Sequence, residues 1–234
     1  EAAAAERMAR RLRRRVHGRP QPRPRDRFPV ASLTVARASG SVERDSAAAL
    51  EARDGRPVFY LENALFTGLF GLAFWEQLFA PVPGAFHHPY QAGPADAFSA
   101  AFLERRRAAI EARLEALAAA DLPALLAGAF RRYHGYQCHW VDWRAFDEAL
   151  VRRAAGCIPF EHLAGTWERL LFDPADNRRG FPDLVALGDA PGDYALYEVK
   201  GPGDALQEHQ RRWLNHFADL GMPASVLQVS WADG

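Results

Sequence analysis

The chain predicts an α/β fold, a central mixed sheet flanked by helices with a helical insertion, and three observations carry that prediction. Leu184–Leu187 and Tyr194–Lys200 read as an antiparallel strand pair across the turn-rich Gly188-Asp189-Ala190-Pro191-Gly192-Asp193. Phe28 to Val35 and Ser225 to Val229 supply further strands near the two ends of the chain. The 13 residues Asn63 to Trp75 carry no charge and are apolar on nearly every face, as a buried helix requires. At 26.0 kDa, with 49% hydrophobic and 12% aromatic residues, the chain can fill a sizeable core.

Taken in order, residues 2 to 16 are rich in Ala and Arg and predict a helix. Gly18 stops it, and Arg-Pro-Gln-Pro-Arg-Pro follows as extended linker. After the Phe28–Val35 strand, Ser41 to Ala52 predicts a capped helix ending before the Asp54-Gly55 turn. Leu61 to Phe79 is the buried helix, with Glu62 in its first turn, where a carboxylate suits the helix dipole. Pro81, Pro83 and Gly84 break it. A second helical block spans Asp96 to Ala120, short helices fill 122 to 154, and Phe160 to Leu171 is a helix stopped by Asp173-Pro174. Asn177-Arg178-Arg179-Gly180 is expected as an exposed basic loop before the strand pair. Gly201-Pro202-Gly203 then turns the chain, and Asp204 is expected to cap a last helix running to about Leu220. The organisation expected is residues 1–57 as upstream helix, basic linker and lead-in strand, then residues 58–234 as one domain with a helical insertion at about 84–157.

Charge and cysteine usage exclude several classes of function. The net charge is zero, but residues 1 to 27 hold ten arginines against Glu1, Glu6 and Asp26, a local net of +7. Such an arm could track nucleic-acid phosphates or form a solvated helix face. Cys138 and Cys157 make neither a disulfide framework nor a zinc spacing, and His134, Cys138 and His139 lack a fourth ligand. His87 and His88 read as loop, Arg105 to Arg107 as surface, and Trp140, Trp143, Trp167 and Trp231 as core. The longest apolar stretch falls short of the ~20 residues a bilayer span needs, so no membrane role is expected, and the cysteine usage makes a reducing cytoplasm the expected setting. The chain opens at Glu1 without an initiator Met, which fits a piece of something longer.

The chemistry lies in a motif built around the only lysine, Lys200, which stands beside 28 arginines. An ammonium is a compact point charge that fits beside a metal-bound water or a single phosphate oxygen, which a planar guanidinium does not. Strand periodicity places Glu198 and Lys200 on one face, with Val199 opposite, and Asp183 enters from the neighbouring strand. Two carboxylates at one spot repel unless a cation lies between them. Oxygen ligands of this kind suit Mg²⁺ or Mn²⁺, one ion or two, with the Val199 carbonyl available to complete the set. Pro182-Asp183, then Glu198-x-Lys200, is the signature of a metal-dependent phosphodiesterase. Lys200 would orient the attacking water and stabilise developing charge. Gln210, in line with Trp213, Leu214 and Phe217, is expected to face the sheet and hold that water or the lysine.

Gly180-Phe181-Pro182-Asp183-Leu184, Glu198-Val199-Lys200-Gly201-Pro202-Gly203-Asp204, Leu206, Gln210 and Trp213-Leu214 resemble the virus-type replication-repair nuclease (VRR-NUC) domain of the PD-(D/E)xK superfamily. Upstream, Glu62, Leu65-Phe66, Leu69-Phe70-Gly71-Leu72, Trp75, Phe86, Tyr90-Gln91, Pro94, Asp96 and Arg113-Leu114 make the resemblance one to the Fanconi-associated nucleases, and to a bacterial member. It covers roughly residues 41 to 230. The resemblance implies a restriction-endonuclease-like core and a 5′-flap endonuclease and 5′-to-3′ exonuclease acting on branched or flapped DNA in interstrand crosslink repair, with nucleoid association during repair. It also implies metal ligands Glu62, Asp183, Glu198 and the Val199 carbonyl, with Lys200 catalytic, and upstream SAP-like and helical-repeat domains missing from this chain apart from a remnant at residues 1 to 17. Relatives can carry a lysine beside the helix glutamine to contact a 5′-phosphate. Here that position is His209, which passes the anchoring role to Arg178, Arg179 or Arg211. The alternatives are a Holliday-junction-resolvase-like nuclease of the same domain type and a catalytically silent module that binds branched DNA.

Overall fold

A computed structural model describes residues 25–232 of the chain. The helix expected at residues 2 to 16 and most of the basic arm lie outside them. Five strands form one mixed sheet, in the order β1-β5-β4-β3-β2. They are β1 (Val30–Val35), β2 (Val58–Tyr60), β3 (Leu184–Leu187), β4 (Tyr194–Lys200) and β5 (Ala224–Trp231). β4 is central, parallel to β5 and antiparallel to β3, while β2 is antiparallel to β3 and β1 parallel to β5.

Alternation along β4 feeds two cores. Tyr194 and Leu196 belong to a large core, while Ala195, Tyr197 and Val199 belong to a smaller one on the other face. Among the described residues a single helix, α1 (Val42–Asp54), covers the smaller core with Leu50. Ser41 caps it by accepting the Arg44 N–H at 3.3 Å, and Gly55 ends it at φ 67°, a conformation that a residue without Cβ adopts freely. Residues 30 to 54, expected as a lead-in, are thus integral to the sheet and to its covering layer.

The opposite face carries the remaining helices: α2 (Ala64–Ala73), α3 (Trp75–Leu78), α4 (Ala100–Ala118), α5 (Leu122–Tyr133), α6 (Glu148–Cys157), α7 (Phe160–Phe172), α8 (Pro174–Asn177) and α9 (Glu208–Asp219). Phe66, Phe70, Phe74, Trp167, Trp213 and Phe217 are almost fully buried and fill the large core. Phe181 stacks between them, 4.2 Å from Trp213 and 5.1 Å from Phe66 by ring centroids. That packing ties the segment entering β3 to both α2 and α9.

Several expectations are corrected. The helix expected over Leu61 to Phe79 starts only at Ala64, because Glu62 has φ 42°, and it is interrupted at Phe74. Glu62 therefore precedes the helix instead of sitting in its first turn. The short strand β2 was not anticipated. Asp204 does not cap α9: its Oδ2 accepts the Gly201 N–H at 3.0 Å, and the cap falls to Gln207. Arg106 is buried rather than on the surface, donating to Asp96 Oδ2 at 3.0 Å across the Phe102 ring. In the expected basic loop only Arg179 is exposed, whereas Asn177 and Gly180 are buried.

Candidate active site

The register of the β3–β4 hairpin builds the site. Leu184 pairs with Tyr197, so Asp183, one residue before β3, comes level with Glu198. Its Oδ2 accepts the Val199 N–H at 2.8 Å, which locks the carboxylate to the partner strand. Glu198 lies on the face of the large core and is 0% exposed, and Lys200, two residues on, is 7% exposed. Lys200 Nζ stands 2.6 Å from Glu198 Oε1. Glu198 Oε2 is buried and receives no hydrogen bond.

Burial pushes the Asp183 carboxyl up to about 6, against the Val199 N–H and the Lys200 charge, which pull it down. Burial, then the Asp183 charge beside it, pushes Glu198 up to about 8 despite Lys200. A buried and a half-buried carboxylate facing one ammonium are short of positive charge, and an orphaned buried carboxylate oxygen is costly unless a cation completes it. This donor set fits a hard divalent ion.

Glu62 reaches the same place by tertiary contacts. The N–H groups of Leu61 and Glu62 both donate to the Asp183 carbonyl at 3.0 Å. Asn63 Oδ1 accepts the Gly180 and Phe181 N–H groups at 2.8 and 3.3 Å, which occupies the side chain that would otherwise cap α2. These bonds hold Glu62 in the left-handed region, a strain of about 1–3 kcal/mol for a non-glycine residue. The Glu62 charge raises both Asp183 and Glu198. Among the described residues, however, no three His, Cys, Asp or Glu side chains are drawn together tightly enough to hold an ion, so Glu62 stands near the pair without closing on it. Sequence reasoning missed Tyr60, whose hydroxyl donates to Glu62 Oε1 at 3.1 Å, as well as Asn63 and Glu43, whose charge also raises Asp183. A Tyr-x-Glu-Asn string has no signature of its own; only a strand ending at Tyr60 could have flagged it.

The remaining expected residues separate into two groups. Arg178 and Arg179 line a cavity of about 350 Å³ together with Glu62, Asn63, His139 and Trp140. Arg178 lies over the Phe98 ring at 4.3 Å, and Arg179 reaches solvent. His209 packs against Gly180, where φ is 91° and a Cβ would meet His209 Cδ2 at 2.4 Å. Burial, then the Arg212, Lys200 and Arg179 charges, holds its imidazole below the usual histidine range. Two residues are placed otherwise than expected. Gln210 Oε1 accepts the Gln207 N–H at 2.9 Å and closes a capping box, so this oxygen serves the helix end and not Lys200. Arg211 pairs with Asp26, so its guanidinium is engaged by the lead-in segment.

A mixed sheet carrying Asp, then Glu-x-Lys, at the junction of its two central antiparallel strands defines a nuclease of the restriction-endonuclease-like class. Residues 104–231 match the VRR-NUC domain family, and the chain belongs to that family. Nucleases of this kind depend on a divalent metal. The chain is 43% identical over 177 residues to the Fanconi-associated nuclease 1 homolog of Pseudomonas aeruginosa, covering 76% of this chain and 32% of that protein. It is 32% identical over 173 residues to Fanconi-associated nuclease 1 of Homo sapiens, covering 72% of this chain and 17% of the relative. The crystal structure of paFAN1 bound to 5′-flap DNA with a two-nucleotide flap and a gap superposes with TM-score 0.88 at 38% identity, over 100% of this chain and 43% of that one. The chain thus spans about a third of its bacterial relative. No helix among the described residues is long and apolar enough to cross a membrane.

Proposed function

We propose that this domain is a structure-selective DNA nuclease, a 5′-flap endonuclease and 5′-to-3′ exonuclease serving interstrand crosslink repair. The observation that carries the proposal is the cluster of half-buried Asp183 with buried Glu198 and Lys200, with a Glu198 oxygen left without a donor. Asp183, Glu198, the Val199 carbonyl and Glu62 would hold Mg²⁺ or Mn²⁺, one ion or two. When bound, the metal supplies Lewis-acid polarisation of the scissile phosphate and a water acidic enough to attack at neutral pH.

The chain's own groups do the rest. Lys200 orients the attacking water and offsets charge developing on the phosphoryl oxygens, and the buried walls keep that interaction strong by excluding solvent. Arg178 and Arg179, which line a cavity with Glu62, would take the DNA backbone by charge, and His209, whose imidazole is held below the usual histidine range, would offer a phosphate a ring N–H, whereas Arg211 is assigned to the lead-in. Gln210 acts by fixing the start of α9, and with it His209. The flapped-DNA complex of paFAN1 supports the choice of a flapped substrate, and the SAP-like and helical-repeat domains belong to the family reading, the relatives being longer than this chain. Two neighbouring carboxylates sharing one ammonium favour catalysis over a silent binding module, since DNA binding gains nothing from gathering like charges. A nucleoid setting during repair goes with this substrate.

The test is cleavage of a 5′-flap duplex in Mg²⁺ or Mn²⁺. Wild type is expected to cut near the flap junction and Lys200→Ala to lose cutting while still binding the DNA. Equal cutting by both would refute the assignment, and a wild type that binds but never cuts would leave the silent module standing.

A further inference from the structure

Tyr60 has no evident structural reason to be aromatic. It ends a three-residue edge strand, Val58–Tyr60, and the ring is 43% exposed. Phe59 is the residue of that strand that packs into the large core, and Val58 packs into the small one. What Tyr60 does contribute is a hydroxyl on Glu62 Oε1 at 3.1 Å.

That bond acts on the one non-glycine residue held at positive φ among the described residues. The Glu62 backbone is already fastened to the Asp183 carbonyl, so the position of its Cα relative to Asp183 is set by the main chain. The side chain still has three torsions to choose, and the Asp183 and Glu198 carboxylates both feel its charge. Glu43, whose Oε2 accepts the Ser41 hydroxyl at 2.6 Å, lies near Tyr60 and Asp183. Left alone, like-charge repulsion would turn Glu62 out to water. A neutral donor at the end of β2 holds one carboxylate oxygen and leaves the other for a cation, as hydrogen-bond partners behind metal ligands commonly do.

We propose that Tyr60 is a positioning residue that holds Glu62 ready to join Asp183 and Glu198 around a divalent cation, and so sets the affinity of the site for metal. The proposal rests on the nuclease reading above and adds to it the residue that couples Glu62 to the pair. Tyr60→Phe removes one oxygen from a half-exposed ring and leaves the fold intact.

The experiment titrates Mn²⁺ into the chain by calorimetry and, in parallel, follows 5′-flap cleavage against Mn²⁺ concentration. Tyr60→Phe is expected to weaken Mn²⁺ binding by about 10-fold, the usual scale for partners behind metal ligands. The Mn²⁺ midpoint for cleavage should shift by the same factor, well beyond any change in the plateau rate. Glu62→Gln marks the loss of the whole ligand, and Tyr60→His, which restores a ring N–H, should recover part of the affinity. Unchanged Mn²⁺ affinity in Tyr60→Phe, tighter binding, or a fall confined to the plateau rate would overturn the proposal while leaving the nuclease intact. A wild type that neither binds Mn²⁺ nor cuts would overturn both.

Discussion

Two charged clusters in this molecule have opposite balances. In the helical layer, Asp96 meets two guanidiniums, Arg105 at 2.9 Å and Arg106 at 3.0 Å. Burial alone would raise its carboxyl, but the Arg106 and Arg105 bonds win and hold it below the usual range. At the end of β4, two carboxylates share Lys200, and both are raised. A cluster whose carboxylate is lowered already holds enough positive charge to keep that carboxylate ionised. One whose carboxylates are raised lacks a positive charge, and this lack marks where a ligand belongs.

The largest effect that could break this contrast is on cleavage. Glu198→Gln should lower 5′-flap cutting by about 10³-fold, on the scale of losing a central electrostatic group. Its metal-free melting temperature should rise by about 2–4 °C for each kcal/mol of repulsion relieved. A fall in both would mean that Glu198 is merely structural. Asp96→Asn should do the reverse: a loss of about 3–5 kcal/mol in denaturant unfolding, because Arg106 is left buried without its counter-charge, with cutting by the folded fraction unchanged.

The pH response sharpens the same contrast. Raised carboxyls bind protons more tightly folded than unfolded, so the metal-free protein should be most stable near pH 5 and lose stability as pH rises through about 6 and about 8. Mn²⁺ should flatten that decline. Asp96 works the other way: its contribution is present above its unfolded value and disappears as pH falls through the lowered one, a loss that Asp96→Asn should remove from the acid limb. Thermal melts across pH, with and without Mn²⁺, check both signs. The smallest effect is local. Gly180→Ala, strained at φ 91° and crowded by His209, should cost about 1–3 kcal/mol and weaken flap binding more than Mn²⁺ binding.

Much of the fold was legible because its signals are local. The β3–β4 hairpin, the α1 caps at Ser41 and Gly55, and the α7 helix rest on residues a few positions apart, where propensity and turn chemistry act directly. The segment from Leu61 misled because apolarity on all faces reports burial and says nothing of backbone, and the positive φ at Glu62 is imposed from Asp183. Arg106 misled because a run of three arginines looks like surface until Asp96, in the loop before the helix, turns one of them inward.

The sequence by itself determined the chemical kernel: a lone ammonium and a carboxylate two residues apart on one strand, and a second carboxylate at the start of the strand paired with it. Strand period and a short turn are enough to bring those three together. Only the tertiary structure decided how the rest of the site assembles. Asn63 bonds Gly180 across 117 positions of chain, Arg211 is occupied by Asp26 across 185, and the Glu62 backbone is held by the Asp183 carbonyl. Contacts of that separation exist only once the core has closed around Phe66, Phe181 and Trp213, and no local pattern encodes them.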